Sequence, residues 1–280
     1  MNQYCVFINN NLVIPISGTQ TSGGAWPGTL VASPRTFQYN STTYNLNQEG
    51  IYKFSVPTQN TTNMIIYNGD VLKLMESLSY FVVGGQDNEG WTIPQLNIRA
   101  LTSRIHIMCT SSASWVMWWC AQLGIPARMC RVLRADTPNG FYDGHVIMEA
   151  KINNEWKLFD PNVGLKFVES NGDLMSLKDV CPMQDTAPFQ YLHELKDGFP
   201  SEQMFNNVYH HSSTIDMFLA TDAMLKDWQK DIMQIPGIVH TDGKTYFYMP
   251  TGTENRQSWV TGLSTSYVVV SQSTWNSMFY

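Results

Sequence analysis

The sequence predicts an α+β fold in which one helix packs against an antiparallel sheet, with β-rich segments on either side. Three stretches carry that expectation. Residues 110–123 are helix formers without Gly or Pro, begun by Thr110, Ser111 and Ser112 and stopped at Gly124 with Pro126 two residues on. Residues 145–152 and 155–159 are two strand-like runs joined by Asn153-Asn154, a two-residue hairpin signal. Residues 1–67 and 238–280 are rich in Thr, Ser, Asn and Gly and alternate in the manner of short strands.

Taken in order, the amino-terminal segment suggests strands at 4–9, 12–16, 36–39, 43–46 and 51–56, separated by Ser-Gly, Gly-Gly, Pro-Gly and Ser-Pro punctuation. Sixty-odd residues with so few core side chains need a neighbour to pack on, either the central core or a partner chain. Trp26 and its Gly-rich surroundings suit a connecting loop or a recognition loop. Asp70 is placed to cap a helix whose stripe is Val71, Leu74, Met75, Leu78, Phe81 and Val82, ended by Gly84-Gly85. A short helix or irregular stretch follows at 94–103.

The helix over 110–123 holds Cys109 at or just before its start. Unpaired backbone N–H groups and the positive end of the dipole favour a thiolate there. Cys109, Ala113, Val116, Met117 and Cys120 share one face, and Trp115, Trp118 and Trp119 occupy the rest, so the helix is expected to be buried on nearly every side. On this segment alone Cys109 fits a buried small hydrophobe equally well. After the helix, 130–134 is strand-like and 135–140 is a loop, with Asp136 and Asp143 as solvated acids.

In the hairpin, a two-residue turn sets Ile152 opposite Glu155, Glu149 opposite Leu158 and Ile147 opposite Asp160. That register puts His145 and Asp160 on one face as diagonal neighbours, and a one-residue slip would separate them. A carboxylate beside a histidine fixes its tautomer and stabilises its imidazolium, as a general base requires. Taken singly, each also fits a strand-end histidine beside a turn aspartate. His106, three residues before Cys109, is a rival base with no carboxylate near it in sequence.

Cys109, then Gly124-Ile125-Pro126-Ala127-Arg128, then Gly144-His145 opening a strand, then Trp156-Lys157-Leu158-Phe159-Asp160-Pro161, with Ala113 four residues past the cysteine, resembles the core of the transglutaminase-like superfamily of cysteine enzymes. The likeness covers roughly residues 70–168. It implies a papain-related fold, with Cys109 as nucleophile, His145 as general base and acid, and Asp160 as its orienter. The superfamily includes transglutaminases, peptidases, amidases and members without activity. Two places depart from its pattern: Ile107-Met108 and Thr110-Ser111 flank the cysteine where Gly and an acidic or Tyr-containing stretch are usual, and Val146-Ile147 follows the histidine.

Beyond the hairpin, Phe167-Val168 and a turn at Asn171-Gly172 precede an irregular stretch, 177–200, expected to lie over the site or to face a partner. His193, Glu194, His210 and His211 lack the spacing of a zinc site. Residues 213–234 suit a helix with Ile215, Phe218, Leu219, Leu225, Trp228 and Ile232 as its stripe, stopped by Pro236-Gly237. Strands are expected at 245–249 and 266–270. The organisation implied is a β-rich module or arm over 1–67, a transglutaminase-like core over 68–200, and a helix plus β segment over 201–280 that packs with the amino-terminal module.

Bulk properties bound the function. A net charge of −6 and no Lys/Arg run argue against nucleic acid as a partner. The amino terminus lacks the basic and apolar regions of a signal peptide, and no stretch is long enough to span a bilayer. Synthesis in the cytoplasm follows, and the acceptor-like Asn40-Ser41-Thr42 and Asn60-Thr61-Thr62 are then coincidental. The five cysteines have no metal spacing; Cys109 and Cys120 share a face but stand roughly 16 Å apart along the helix, too far for a disulfide. The expectation is a cofactor-free, metal-free Cys109–His145–Asp160 enzyme acting on a peptide or protein amide, as a peptidase or amidase or as a transglutaminase. The alternative is a structural or adhesive protein, of a virion or a surface, built on an inactive core and assembled through its β-rich ends. The charged fraction of 14%, low for a soluble domain, is the compositional basis for that alternative.

Overall fold

The computed structural model describes residues 67–102, 104–135, 144–183, 189–192 and 228–280, together with the backbone of seven strands between residues 2 and 66. Those strands are β1 (Asn2–Phe7), β2 (Leu12–Ser17), β3 (Val31–Ala32), β4 (Arg35–Tyr39), β5 (Thr42–Leu46), β6 (Gly50–Val56) and β7 (Gln59–Ile66). Five of them form a sheet in the order β2-β1-β6-β7-β3, and β4 pairs with β5. Ile65 of β7 is buried among Leu74, Leu78 and Leu96, which ties this sheet to the core. Trp26, Asp136, Asp143, His193, Glu194, His210, His211 and most of the helix expected over 213–234 lie outside the described residues.

Helix α1 (Val71–Phe81) is capped by Asp70, whose carboxylate accepts from the Lys73 N–H at 3.1 Å. Val82, assigned to the helical stripe from sequence, instead begins β8 (Val82–Gly84), which pairs in parallel with β9 (Ile105–Ile107). Two β-branched residues in succession, Val82 and Val83, favour the extended state, and the pairing with β9 settles it. Between them lies α2 (Ile93–Thr102). The cysteine-bearing helix is α3 (Cys109–Gln122), and its C-terminal turn closes at Gly124, which has a φ of +71°.

The central sheet has eight strands: β10 (Ala127–Leu133), β11 (Gly144–Ile152), β12 (Glu155–Asp160), β13 (Leu165–Phe167), β14 (Phe189–Tyr191), β15 (Ile235–Val239), β16 (Thr245–Tyr248) and β17 (Tyr267–Val270). Their order is β14-β13-β12-β11-β10-β15-β16-β17, antiparallel throughout except for the parallel pair β16–β17. The fold is thus mixed α+β on a mostly antiparallel sheet. The C-terminal strands extend this central sheet instead of pairing with the amino-terminal ones, among the described strands. Helices among the described residues follow or interrupt them: the end of one at 228–232, α4 (Leu177–Val180), inside the stretch expected to be irregular, and α5 (Gln257–Leu263) and α6 (Gln272–Phe279) in the segment expected to be β.

Both faces of β11 are covered, and the period of two assigns each side chain to a face. Val146, Met148 and Ala150 pack with Ala113, Trp115, Val116 and Cys120 of α3. Ile147 packs on the opposite side with Cys130, Leu158, Trp228, Ile232 and Trp275. Helix α3 is less enclosed than its composition implies: Trp115 is fully buried, but Trp118 and Trp119 are half-buried and stack edge to face on each other at 4.9 Å.

Candidate active site

Cys109 is the first residue of α3, after Met108 in extended conformation. The first backbone bond of the helix runs from the Ser112 N–H to the Met108 carbonyl at 2.8 Å, so the N–H groups of Cys109, Thr110 and Ser111 have no helical acceptor. The start is pinned from outside by Glu89. One of its carboxylate oxygens accepts from the Met108 N–H at 2.8 Å and the other from the Ser111 hydroxyl at 2.6 Å. A carboxylate at this end of a helix is electrostatically favoured.

The hairpin brings the other two residues. Asn153 and Asn154 have φ of +51° and +67°, the left-handed pair of a two-residue turn. Ile152 faces Glu155 and Glu149 faces Leu158, in the register expected from the turn. His145 Nε2 meets Asp160 Oδ2 at 2.7 Å. Gly144 lets β11 approach β10 at this point, since a Cβ there would sit 2.8 Å from Leu133 Cδ2 and 3.0 Å from the Val132 carbonyl oxygen.

Asp160 is fully buried and held on both oxygens. Oδ1 accepts from the backbone N–H groups of Asn162 and Val163 at 3.1 and 3.3 Å, and Oδ2 accepts from His145 and, at 3.5 Å, from Gln229 Nε2. With Nε2 of His145 committed to the carboxylate, Nδ1 is the ring nitrogen left for the thiol. Cys109 lies beside the His145 side chain and the Val146 backbone N–H, and both act on its thiol. The three residues therefore stand in series, thiol to imidazole to carboxylate.

Burial by itself pushes the Cys109 thiol up. The hydrogen bond and charge of His145, with the Val146 N–H, outweigh it and hold the thiol below its ordinary value. For His145, burial lowers the pKa, but the Asp160 charge and hydrogen bond, then the contacts with Cys109, raise it to about 10. Both shifts act in the direction that favours a thiolate beside an imidazolium. The other cysteines of the described core contrast with this: burial raises Cys120 to about 12, and burial with the Glu149 charge raises Cys130 and Cys181.

Three supporting side chains had no clear signature in the sequence. Trp228 packs edge-on against His145 with ring centres 4.8 Å apart, and Gln229 reaches Asp160. Trp228 was legible only as part of an apolar helical stripe, and Gln229 as its polar neighbour. Asn162 spans from the loop after Asp160 to the start of α3, its Nδ2 donating to the Ile107 carbonyl at 2.9 Å and to the Ser112 hydroxyl at 2.8 Å. A polar residue closing an Asp-Pro-Asn turn was its only mark.

His106 does acquire a carboxylate through folding, Asp87 Oδ2 at 2.9 Å from its Nδ1, but the aspartate side chain is 68% exposed. His145, not His106, is the histidine in contact with Cys109. Among the described residues no three His, Cys, Asp or Glu side chains gather in a way that would hold a metal ion. No helix among them is long and apolar enough to cross a membrane.

No family model, curated protein or solved structure matches the chain.

Proposed function

We propose that the chain is a cysteine-dependent acyl-transfer enzyme acting on an amide bond, of the transglutaminase-like, papain-related kind, with Cys109 as nucleophile, His145 as general base and acid, and Asp160 as orienter. The observation that carries this reading is the 2.7 Å bond of His145 Nε2 to the buried Asp160 carboxylate, with Cys109 beside the imidazole and its thiol held below the ordinary pKa. A nucleophile activated by an imidazole that a third group orients is the arrangement covalent catalysis needs.

In the first half-reaction the Cys109 thiolate attacks the carbonyl carbon of the amide. The developing oxyanion is served by the unpaired N–H groups at the start of α3. His145, as imidazolium, gives its proton to the departing amine, the C–N bond breaks, and a thioester remains on Cys109. In the second, His145 takes a proton from water, hydroxide attacks the thioester, and the acid leaves as the thiol is regenerated. An incoming amine in place of water gives transamidation.

The test is acylation by 4-nitrophenyl acetate, which needs no knowledge of the natural substrate. A burst of nitrophenolate stoichiometric with protein, an acetyl group mapped to Cys109, and loss of the burst in His145→Ala are expected. Acetylation spread over several cysteines, or a burst that survives His145→Ala, would overturn the reading.

A further inference from the structure

At the opposite end of the hairpin from His145 and Asp160 a cleft of about 530 Å³ opens between the β11–β12 turn, α4 and the C-terminal residue Tyr280. Trp156 lies four residues from Asp160, about 13 Å along the strand, so the cleft is separate from the candidate active site. Its walls carry Lys151, Lys157 and Lys178, two acids, Glu155 and Asp179, and the rings of Trp156 and Tyr280.

The acids are already engaged. Glu155 pairs with Lys157 at 2.8 Å, and Asp179 accepts from both the N–H and the hydroxyl of Ser176 at 2.9 and 2.6 Å. Lys151 donates only to the neutral Asn154 amide oxygen at 3.2 Å and lies 5.2 Å from the Trp156 ring centre. Lys178 lies 5.5 Å from the Tyr280 ring centre. Among the described residues neither ammonium is within ion-pair distance of a carboxylate. Three lysines against two acids leave the cleft's side chains with an excess of one positive charge beside two aromatic rings, in a chain of net charge −6.

The backbone adds a second observation. Lys151 and Trp156 face each other, and the Lys151 N–H points out of the pair to the Pro126 carbonyl at 2.9 Å. Two residues along β12, the Leu158 N–H likewise points outward, to the Met175 carbonyl at 2.8 Å. Antiparallel pairs alternate, so Lys151 and Trp156 are a pair without mutual hydrogen bonds, and the Trp156 N–H and C=O point to the outer edge of β12. β13 covers that edge only at Phe159 and Asp160. Among the described residues, the outer edge of β12 is thus open at Trp156, on the rim of the cleft.

We propose that this cleft binds an extended acidic peptide segment, its main chain adding to the edge at Trp156 and its carboxylates meeting Lys151 and Lys178. Strand addition supplies main-chain hydrogen bonds, and flanking side-chain contacts supply selectivity. The open edge favours a peptide over an acidic saccharide, which has no repeating N–H and C=O to offer it. The inference stands apart from the catalytic reading, because it uses neither Cys109 nor His145.

Fluorescence anisotropy of a labelled hexapeptide of alternating Glu and Val, titrated with the full chain at low salt, tests it. The acidic peptide is expected to bind more tightly than its Lys-for-Glu counterpart. The surface double variant Lys151→Gln/Lys178→Gln should weaken it about tenfold, the scale of two exposed charge contacts. Methylating alternate backbone amides of the peptide should weaken it similarly. Equal binding of the acidic and basic peptides, unchanged affinity in the double variant, indifference to amide methylation, or tighter binding of tetragalacturonate would each overturn the proposal.

Discussion

His145 owes its raised pKa to a contest between burial, which disfavours the imidazolium, and Asp160, which favours it more strongly. The direction fixes a pH signature. A histidine raised from 6.5 to about 10 on folding contributes stability that is fully present below pH 6.5 and lost as pH rises through about 10. Cys109 titrates with the opposite sign, since its lowered pKa contributes stability that is present at high pH and lost as pH falls. A Cys109→Ser background isolates the histidine. The urea midpoint of Cys109→Ser is expected to fall as pH rises above 6.5, over a window that closes below 10 because the contacts with Cys109 are gone, and that of Cys109→Ser/His145→Gln to stay flatter there. Parallel curves would show that Asp160 does not hold an imidazolium in the folded state.

The hairpin is the element that converts sequence spacing into a site. Its turn was legible because two consecutive asparagines tolerate a left-handed backbone, and the register followed from counting outward. Val at Asn154, with its φ of +67°, is expected to cost about 1–2 kcal/mol, read as a lower urea midpoint. An unchanged midpoint would mean that the turn does not constrain the strands. Helix α3 was legible for a similar local reason, with polar starters and a Gly stop bounding an apolar run. Helices α5 and α6 were not. Thr261, Ser273 and Thr274 and the Gly at 262 lower local helix propensity, and what holds α6 is tertiary: Trp275 is fully buried and donates its indole N–H to the Tyr246 carbonyl at 2.8 Å.

Across the whole molecule, the central sheet is the frame that brings distant segments to one place. Cys109 comes from one face, His145 and Asp160 from the hairpin, and Trp228 and Gln229 from a segment nearly seventy residues further on. The grouping of Cys109, His145 and Asp160 could be anticipated from sequence because two of them share a hairpin and the third opens a bounded helix. The partners from 228–229 could not, since nothing local says which chain segment covers the second face of the sheet. The same holds for Arg128, whose guanidinium donates to Glu149 at 2.8 Å and to the Phe279 carbonyl at 2.8 Å, with the Tyr280 hydroxyl on the same buried carboxylate. Sequence placed Arg128 only as the end of the Gly124–Arg128 stretch. In the fold it ties the hairpin that carries His145 and Asp160 to Phe279.

The central claim is a thiolate–imidazolium pair made by Cys109 and His145. Its most direct measurement is the rate of iodoacetamide labelling at each cysteine, read by peptide mass spectrometry from pH 5 upward, in the native chain and in His145→Ala. The account predicts that Cys109 reacts well below the ordinary thiol pKa, that Cys120, Cys130 and Cys181 stay unreactive in the folded protein, and that His145→Ala moves the Cys109 profile to higher pH. A Cys109 profile at or above the ordinary thiol value, or one unmoved by His145→Ala, would contradict it.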